Sequence, residues 1–124
     1  MEKINSYKDL IVWQKDIDLS VEVYQVTMNF PSEEIYGLTN QIRRACNSIS
    51  LNIAEGHSRN STKSYINSLN IANGSLHELE SGIYLSQRLN FIDVNSTVKT
   101  NELVIEIQKM LSSLITKLTN KINP

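Results

Sequence analysis

The sequence is poor in the residues that mark turns, since it has only four glycines and two prolines among 124 residues. All-β and α/β chains need frequent turns between short elements, so this composition argues against both classes. The length is typical of one domain with one hydrophobic core. We therefore predict a single domain over residues 1–124.

Cysteine, long apolar runs and surplus charge are also scarce. The single cysteine, Cys46, excludes an intrachain disulfide and is typical of a reducing compartment. No run approaches the roughly 20 apolar residues of a membrane helix, and charged residues interrupt any signal-peptide core near the start. These absences predict a cytoplasmic protein with no membrane partner. The net charge of −1 gives no general attraction for polyanions.

Apolar residues recur at steps of three or four along the chain, which is the period of a helix. The four predicted helices cover residues 6–29, 32–55, 61–89 and 94–121. Long helices joined by short links favour antiparallel neighbours. The predicted fold class is therefore all-α, an antiparallel up-down-up-down four-helix bundle.

The apolar seams predict which residues enter the core. The predicted core positions of the first helix are Leu10, Trp13, Ile17, Val21, Tyr24 and Met28. The predicted core positions of the third helix are Tyr65, Leu69, Ala72, Leu76, Leu79 and Ile83. Ile49 and its apolar neighbours at the same spacing predict the buried face of the second helix.

Polar residues and glycines predict how the helices begin, end and approach one another. Ser6 and Asp9 match a capping box at the first helix, and Ser32 is the expected N-cap of the second. Gly56 lies where a helix C-terminal cap is expected. Gly74, inside the third helix, is expected to permit a close approach between helices.

Catalytic and metal-binding patterns are missing from the sequence. Cys46 lies at the edge of an apolar stripe and is expected to be buried. His57 and His77 are isolated, and Ser81 stands where a zinc-protease motif needs its second histidine. We predict no catalytic residue, metal site, cofactor or small-molecule substrate, and therefore no enzymatic activity.

The second helix carries a polar stripe beside its apolar one. The stripe comprises Gln41, Arg44, Ser48, Asn52 and Glu55. Steps of three and four place these residues on one helix face, and Ser75 and Glu78 on the third helix are potential partners. Two interpretations follow: the stripe contacts another copy of the chain, or it holds the second and third helices in register within one subunit.

Four cations near the predicted turn between helices 2 and 3 are the candidates for nucleic-acid binding: Arg43, Arg44, Arg59 and Lys63. Phosphate affinity rises with the number of neutralised charges, and four is a small number. The alternative is ion pairing with Glu55, Glu78 or Glu80, within the chain or between subunits.

Several segments together resemble the 23S rRNA intervening-sequence proteins. The resemblance is carried by Phe30-Pro31, Glu34, Tyr36-Gly37-Leu38, Gln41-Ile42-Arg43-Arg44-Ala45, Ser48-Ile49, Asn52-Ile53-Ala54-Glu55-Gly56 and the segment from Ile71 to Glu80. Trp13-Gln14 also fits, and the resemblance extends from about Tyr7 to Leu118. Ser50-Leu51 departs from the family pattern, which usually has a proline in this segment.

This resemblance implies a four-helix subunit that assembles into a ring-like homopentamer. Accessory proteins of diversity-generating retroelements are similar, and they bind nucleic acid and a reverse transcriptase through a strongly basic surface, which this chain lacks. The function expected is therefore a non-enzymatic scaffold or assembly protein. The alternative is an accessory protein that binds RNA or DNA.

Overall fold

The computed structural model describes residues 6–124, so residues 1–5 of the predicted domain lie outside the described part. Four long helices account for most of it: α1 (Ile11–Thr27), α2 (Leu38–His57), α3 (Thr62–Arg88) and α4 (Val98–Ile122). No strand occurs within residues 6–124. The prediction of an all-helical chain with four main helices is confirmed.

The first predicted helix begins later than expected. Ser6 and Asp9 form the predicted capping box, but they cap a short 3-10 turn over Tyr7–Asp9. Leu10 is extended, with φ −73° and ψ 124°, so α1 begins at Ile11. The capping residues were identified correctly, whereas the helix type that follows them was not.

The second helix also begins later, and Ser32 is not its N-cap. Ser32–Glu34 form a 3-10 turn, and α2 begins at Leu38 after Gly37. The Glu34 carboxylate Oε2 accepts the Leu38 backbone N–H at 3.0 Å, so a side chain four residues upstream supplies the missing acceptor.

Glycines bring α2 and α3 together at two places. A Cβ on Gly56 would lie 2.8 Å from the Ser68 Cβ, and a Cβ on Gly82 would lie 2.7 Å from the Ile42 Cγ1. Gly56 is thus inside α2 and serves helix contact, not the predicted C-cap. Gly74 has no neighbour within 4 Å, so the close approach predicted there occurs at Gly82 instead.

The core follows the predicted seams of α2 and α3, and α4 contributes Val104, Ile107, Leu111 and Leu118. Ile49 and Ile53 of α2 are fully buried with Leu69, Leu76 and Leu79 of α3. Asn90 ends α3 in the left-handed region at φ 62°, a conformation that asparagine tolerates at helix C-termini. Ion pairs join Lys15 of α1 to Glu106 of α4, and Glu22 to Lys99, both at 3.2 Å.

The stability of this core can be tested with two residues of α2 that lie two positions apart. Ile49→Ala removes a fully buried side chain and should lower the free energy of unfolding by about 2–5 kcal/mol. Leu51→Ala is the matched control, because Leu51 is 65% exposed. Chemical denaturation should show a loss below about 1 kcal/mol for Leu51→Ala. Equal losses in the two variants would contradict the assignment of this seam.

Candidate functional site

The face of α1 that enters the bundle is unusually polar. Asp16 and Thr27 are buried there beside the apolar Leu19 and Val23, and Ser20 is half-buried. The Thr27 hydroxyl donates to the Val23 carbonyl at 2.7 Å and accepts from the Arg43 Nε at 2.9 Å. A helix that faces a core normally turns its apolar residues inward, so α1 departs from the usual arrangement.

Asp16 is the most unfavourable of these inward residues. Its side chain is fully buried, and neither carboxyl oxygen has a hydrogen-bond partner within residues 6–124. Burial raises the pKa of the Asp16 carboxyl to about 8, although nearby Ser50 opposes the shift in part. The acid is therefore held largely neutral at neutral pH, because an unpaired carboxylate is costly to bury.

Cys46 of α2 lies against the same part of α1. Its thiol is within 3.2 Å of the Ser20 hydroxyl, and the residue is fully buried as predicted. Burial, with a smaller contribution from the charge of Asp16, raises the pKa of the Cys46 thiol to about 12. The thiol is thus kept protonated, which opposes a role as a nucleophile.

The exposed side of α1 carries a row of apolar residues, and the predicted seam of this helix is wrong over most of its length. Leu10 and Trp13 pack against the core, but four other members of that seam are exposed. We call these four residues the α1 ridge: Ile17, Val21, Tyr24 and Met28. Val21 is 53% exposed and Met28 is 71% exposed. The helix therefore directs polar groups inward and a continuous apolar row outward.

Part of the predicted polar stripe bonds within the subunit. The Ser75 hydroxyl of α3 donates to the Ser48 hydroxyl of α2 at 2.9 Å. The Asn52 amide donates to the same hydroxyl at 3.1 Å and to the Ser48 backbone carbonyl at 2.8 Å. Glu55 pairs with Arg59 at 2.6 Å on the surface. Ser48 and Ser75 thus follow the second interpretation, an internal contact that links α2 to α3, and Asn52 bonds to Ser48 from within α2.

The remaining members of the stripe line an open groove. Gln41, Arg44 and Glu78 make no side-chain hydrogen bond or ion pair with any residue in 6–124. They border a cleft of about 310 Å³ with Ala45, Ser48 and Ser75. A second cleft of about 230 Å³ shares Gln41 and Glu78 with the first and continues to Leu38, Ile42, Ser81, Gly82 and Leu85. We call this continuous depression the α2–α3 groove.

The four predicted cations do not form one cluster. Arg43 and Arg44 lie near the start of α2, whereas Arg59 and Lys63 lie beyond its other end. The 14 residues from Arg43 to the end of α2 at His57 correspond to about 21 Å along the helix. Their predicted placement around the turn between α2 and α3 therefore holds for Arg59 and Lys63 but not for Arg43 and Arg44.

Arg43 and Arg44 instead border a cleft beside the connection from α1 to α2. The Arg43 guanidinium lies 4.6 Å from the centre of the Tyr24 ring, a cation–π contact. Asn47 donates to the Tyr24 hydroxyl at 3.1 Å. Tyr36, which is 92% exposed, and Asn40 complete the polar and aromatic lining of this cleft. The isolated Tyr36 gave no periodic signal in the sequence, so its place beside two arginines was not predicted.

The described residues contain no group of three His, Cys, Asp or Glu side chains that could hold a metal ion. His57 packs edge-on against Tyr65, and His77 Nδ1 lies 2.8 Å from the Asn73 carbonyl. Each histidine therefore has a local structural contact. Within residues 6–124, no helix is both long and apolar enough to cross a membrane.

The buried carboxyl predicts how stability depends on pH. Because the pKa of Asp16 is higher in the folded protein than in the unfolded chain, its contribution to stability is full below about pH 4 and is lost as pH rises through about 8. Asp16→Asn removes this titration. Relative to wild type, we expect the variant to gain roughly 2–5 kcal/mol between about pH 5 and pH 9.

Urea denaturation at the two pH values measures this gain, and Asp18→Asn is the matched control. Asp18 is exposed two residues further along α1, and its side chain makes no hydrogen bond or ion pair within the described residues. The control should show no comparable gain. If the free energy of unfolding changed equally with pH in wild type and in Asp16→Asn, the burial argument would be contradicted.

The chain matches known proteins over most of its length. The family model for 23S rRNA-intervening sequence proteins matches residues 8–113. The chain is also similar to a protein of unknown function from the S23 ribosomal protein family of Bacteroides thetaiotaomicron, whose crystal structure is known. The two sequences are 30% identical, and the match covers 85% of this chain and 98% of that chain, with a TM-score of 0.75. No curated protein matches. The chain belongs to the family of 23S rRNA-intervening sequence proteins.

Proposed function

We propose that this chain is a non-enzymatic protein that assembles with copies of itself through the α1 ridge. The observation that carries the proposal is the row of exposed apolar residues on α1, a helix that also buries polar side chains. Its inward face holds Asp16, Ser20 and Thr27, while its outward face presents Ile17, Val21 and Met28 to solvent. Contiguous exposed apolar surface is characteristic of protein–protein contact sites.

The neighbouring helices support this use of α1. Ile42, Ile49 and Ile53 direct the apolar face of α2 inward, as expected for a helix that packs on the core of its own subunit. In α1, by contrast, apolar residues lie both on the buried side, as at Leu19 and Val23, and on the exposed side, as at Ile17 and Val21. Such a helix is stabilised when both faces are covered, and a second copy of the chain supplies a cover of the required apolar character.

The assembly we propose is a ring of five subunits, as the family resemblance implies, and each subunit is an up-down-up-down antiparallel bundle. Two pairs of contacts support opposite directions for α1 and α4, since Lys15 meets Glu106 while Glu22 meets Lys99. Contacts of Gly82 with Ile42 and of Gly56 with Ser68 support the same relation between α2 and α3. The proposed location of this assembly is the cytoplasm.

The proposal includes no catalytic activity because of where the groups with strongly shifted pKa values lie. Strongly shifted pKa values often mark active sites because catalysis needs them. Here the shifted groups, Asp16 and Cys46, are buried between α1 and α2, where a substrate has no access. Their shifts follow from the packing of the subunit core.

Assembly through the α1 ridge can be tested with one charged substitution. Val21→Lys places an ammonium group in the middle of the ridge, where burial against a partner would be costly. Light scattering should show the wild type as an oligomer and Val21→Lys near the 14.1 kDa mass of one chain. Circular dichroism should remain helical, because Val21 is exposed in the subunit.

Ile105→Lys is the matched control for this experiment. Ile105 is an apolar residue of α4 that is 50% exposed, close to the exposure of Val21. We expect Ile105→Lys to keep the wild-type mass. A monomeric wild type, or a Val21→Lys variant that keeps the oligomeric mass, would contradict the proposal.

Nucleic-acid binding is the second candidate function, favoured by the cleft that holds Tyr36, Arg43 and Arg44. An exposed aromatic ring beside cations suits an unpaired base and its phosphate. The accessory proteins of diversity-generating retroelements, which resemble this family, offer a precedent for such binding. Two cations near one cleft support only a modest affinity.

The two groups of cations can be compared directly by RNA binding. We expect Tyr36→Ala and Arg44→Gln to weaken the binding of single-stranded RNA several-fold, and Arg44→Gln to reduce the salt dependence by about one phosphate contact. Arg59→Gln is the control at the other end of α2. Fluorescence anisotropy across a salt series measures each affinity. Greater losses in Arg59→Gln than in Arg44→Gln would contradict this placement.

A further inference from the structure

We infer that the α1 ridge of one subunit packs into the α2–α3 groove of the next, so that the contact between copies joins two different surfaces. This inference rests on the proposed self-assembly and specifies which surface receives the ridge. The first argument is shape. The ridge is a convex row on one helix, whereas the groove is a depression between two helices, and helix surfaces pack by placing ridges into grooves.

The two surfaces also agree in length. The ridge runs from Ile17 to Met28, about 16 Å along α1. The groove runs from Leu38 to Ser48 on α2, about 15 Å. One ridge therefore fills one groove from end to end.

The groove has an apolar part near the start of α2 and a polar part around Arg44, Ser48 and Glu78. Leu38, Ile42 and Gly82 form an apolar part of the groove, and Leu85 extends it as an exposed apolar residue. The absence of a side chain at Gly82 keeps α3 close to Ile42. Apolar side chains of a partner helix can therefore be covered here without displacing charged groups from the floor.

The edges of the two surfaces have complementary groups. Arg44 and Glu78 border the groove and have no ion-pair partner within residues 6–124. Asp18 and Gln25 lie seven residues apart beside the ridge, on one flank of α1, and their side chains have no partner there either. Asp18 can pair with Arg44, and Gln25 can donate to Glu78.

A contact between different surfaces has a consequence that a self-complementary contact lacks. If two α1 ridges met each other, assembly would stop at a dimer and leave the groove unused. When a ridge meets a groove, every subunit keeps one free surface of each kind until a ring closes. The pairing we infer therefore provides a route to the proposed ring.

Thiol cross-linking in co-expressed pairs of variants tests the inference. Val21→Cys places a thiol at the middle of the ridge, and Glu78→Cys places one at the middle of the groove. Because ridge and groove have similar lengths, their middles meet whichever way the helices run. The native Cys46 is fully buried and should not react in the folded protein.

We expect a short bis-maleimide to join one Val21→Cys chain to one Glu78→Cys chain, and to leave either variant alone uncross-linked. Ile105→Cys co-expressed with Glu78→Cys is the matched control and should give at most one-tenth of the product. Cross-linking of Val21→Cys with itself, or a yield equal to the control, would overturn the inference. The mass of the wild type distinguishes failure of the pairing from failure of the proposed assembly. An oligomer without the cross-link rejects only the pairing of ridge and groove, whereas a monomer rejects the proposed assembly as well.

Discussion

Close packing between α2 and α3 is the constraint on which the rest of the structure depends. Gly56 and Gly82 let the helices approach at two points, and the Ser48–Ser75 hydrogen bond fixes their register between those points. Large side chains at either glycine would meet Ser68 or Ile42 and force the helices apart. Because this pair is rigidly defined, the groove along its outer side has a fixed width and a fixed set of bordering groups.

The buried face of α1 differs from the predicted one, and the sequence pattern explains the difference. Its periodic apolar row was predicted as the core face of the helix, and that prediction is wrong for four of its six members. The same periodicity does not distinguish cover by the subunit from cover by another chain, and α1 has apolar residues on both its buried and its exposed side. Asp16 is the residue that marks the inner face, but a buried acid without a partner is too costly to be expected from a pattern.

Other differences between prediction and structure have equally local causes. The α2 and α3 seams were predictable because apolar residues at steps of three and four form one continuous buried face on each helix. The start of α2 was not, since Gly37 interrupts the helix and the capping acceptor comes from the Glu34 side chain. The polar stripe was predicted as one unit, yet Ser48 bonds to Ser75 of α3 while Arg44 faces the groove. A helical wheel gives direction around the axis but not the distance to a neighbouring helix.

Arg44 connects the two candidate functions, because it borders both the α2–α3 groove and the cleft with Tyr36 and Arg43. A guanidinium has several donors and can serve a carboxylate on one side and a phosphate on the other. If a neighbouring Asp18 holds Arg44 in the ring, the charge available to a phosphate falls. Assembly would then leave Arg43 and Tyr36 as the principal contacts for a nucleic acid. Self-assembly and RNA binding are in that case coupled through a single side chain, and each would weaken the other.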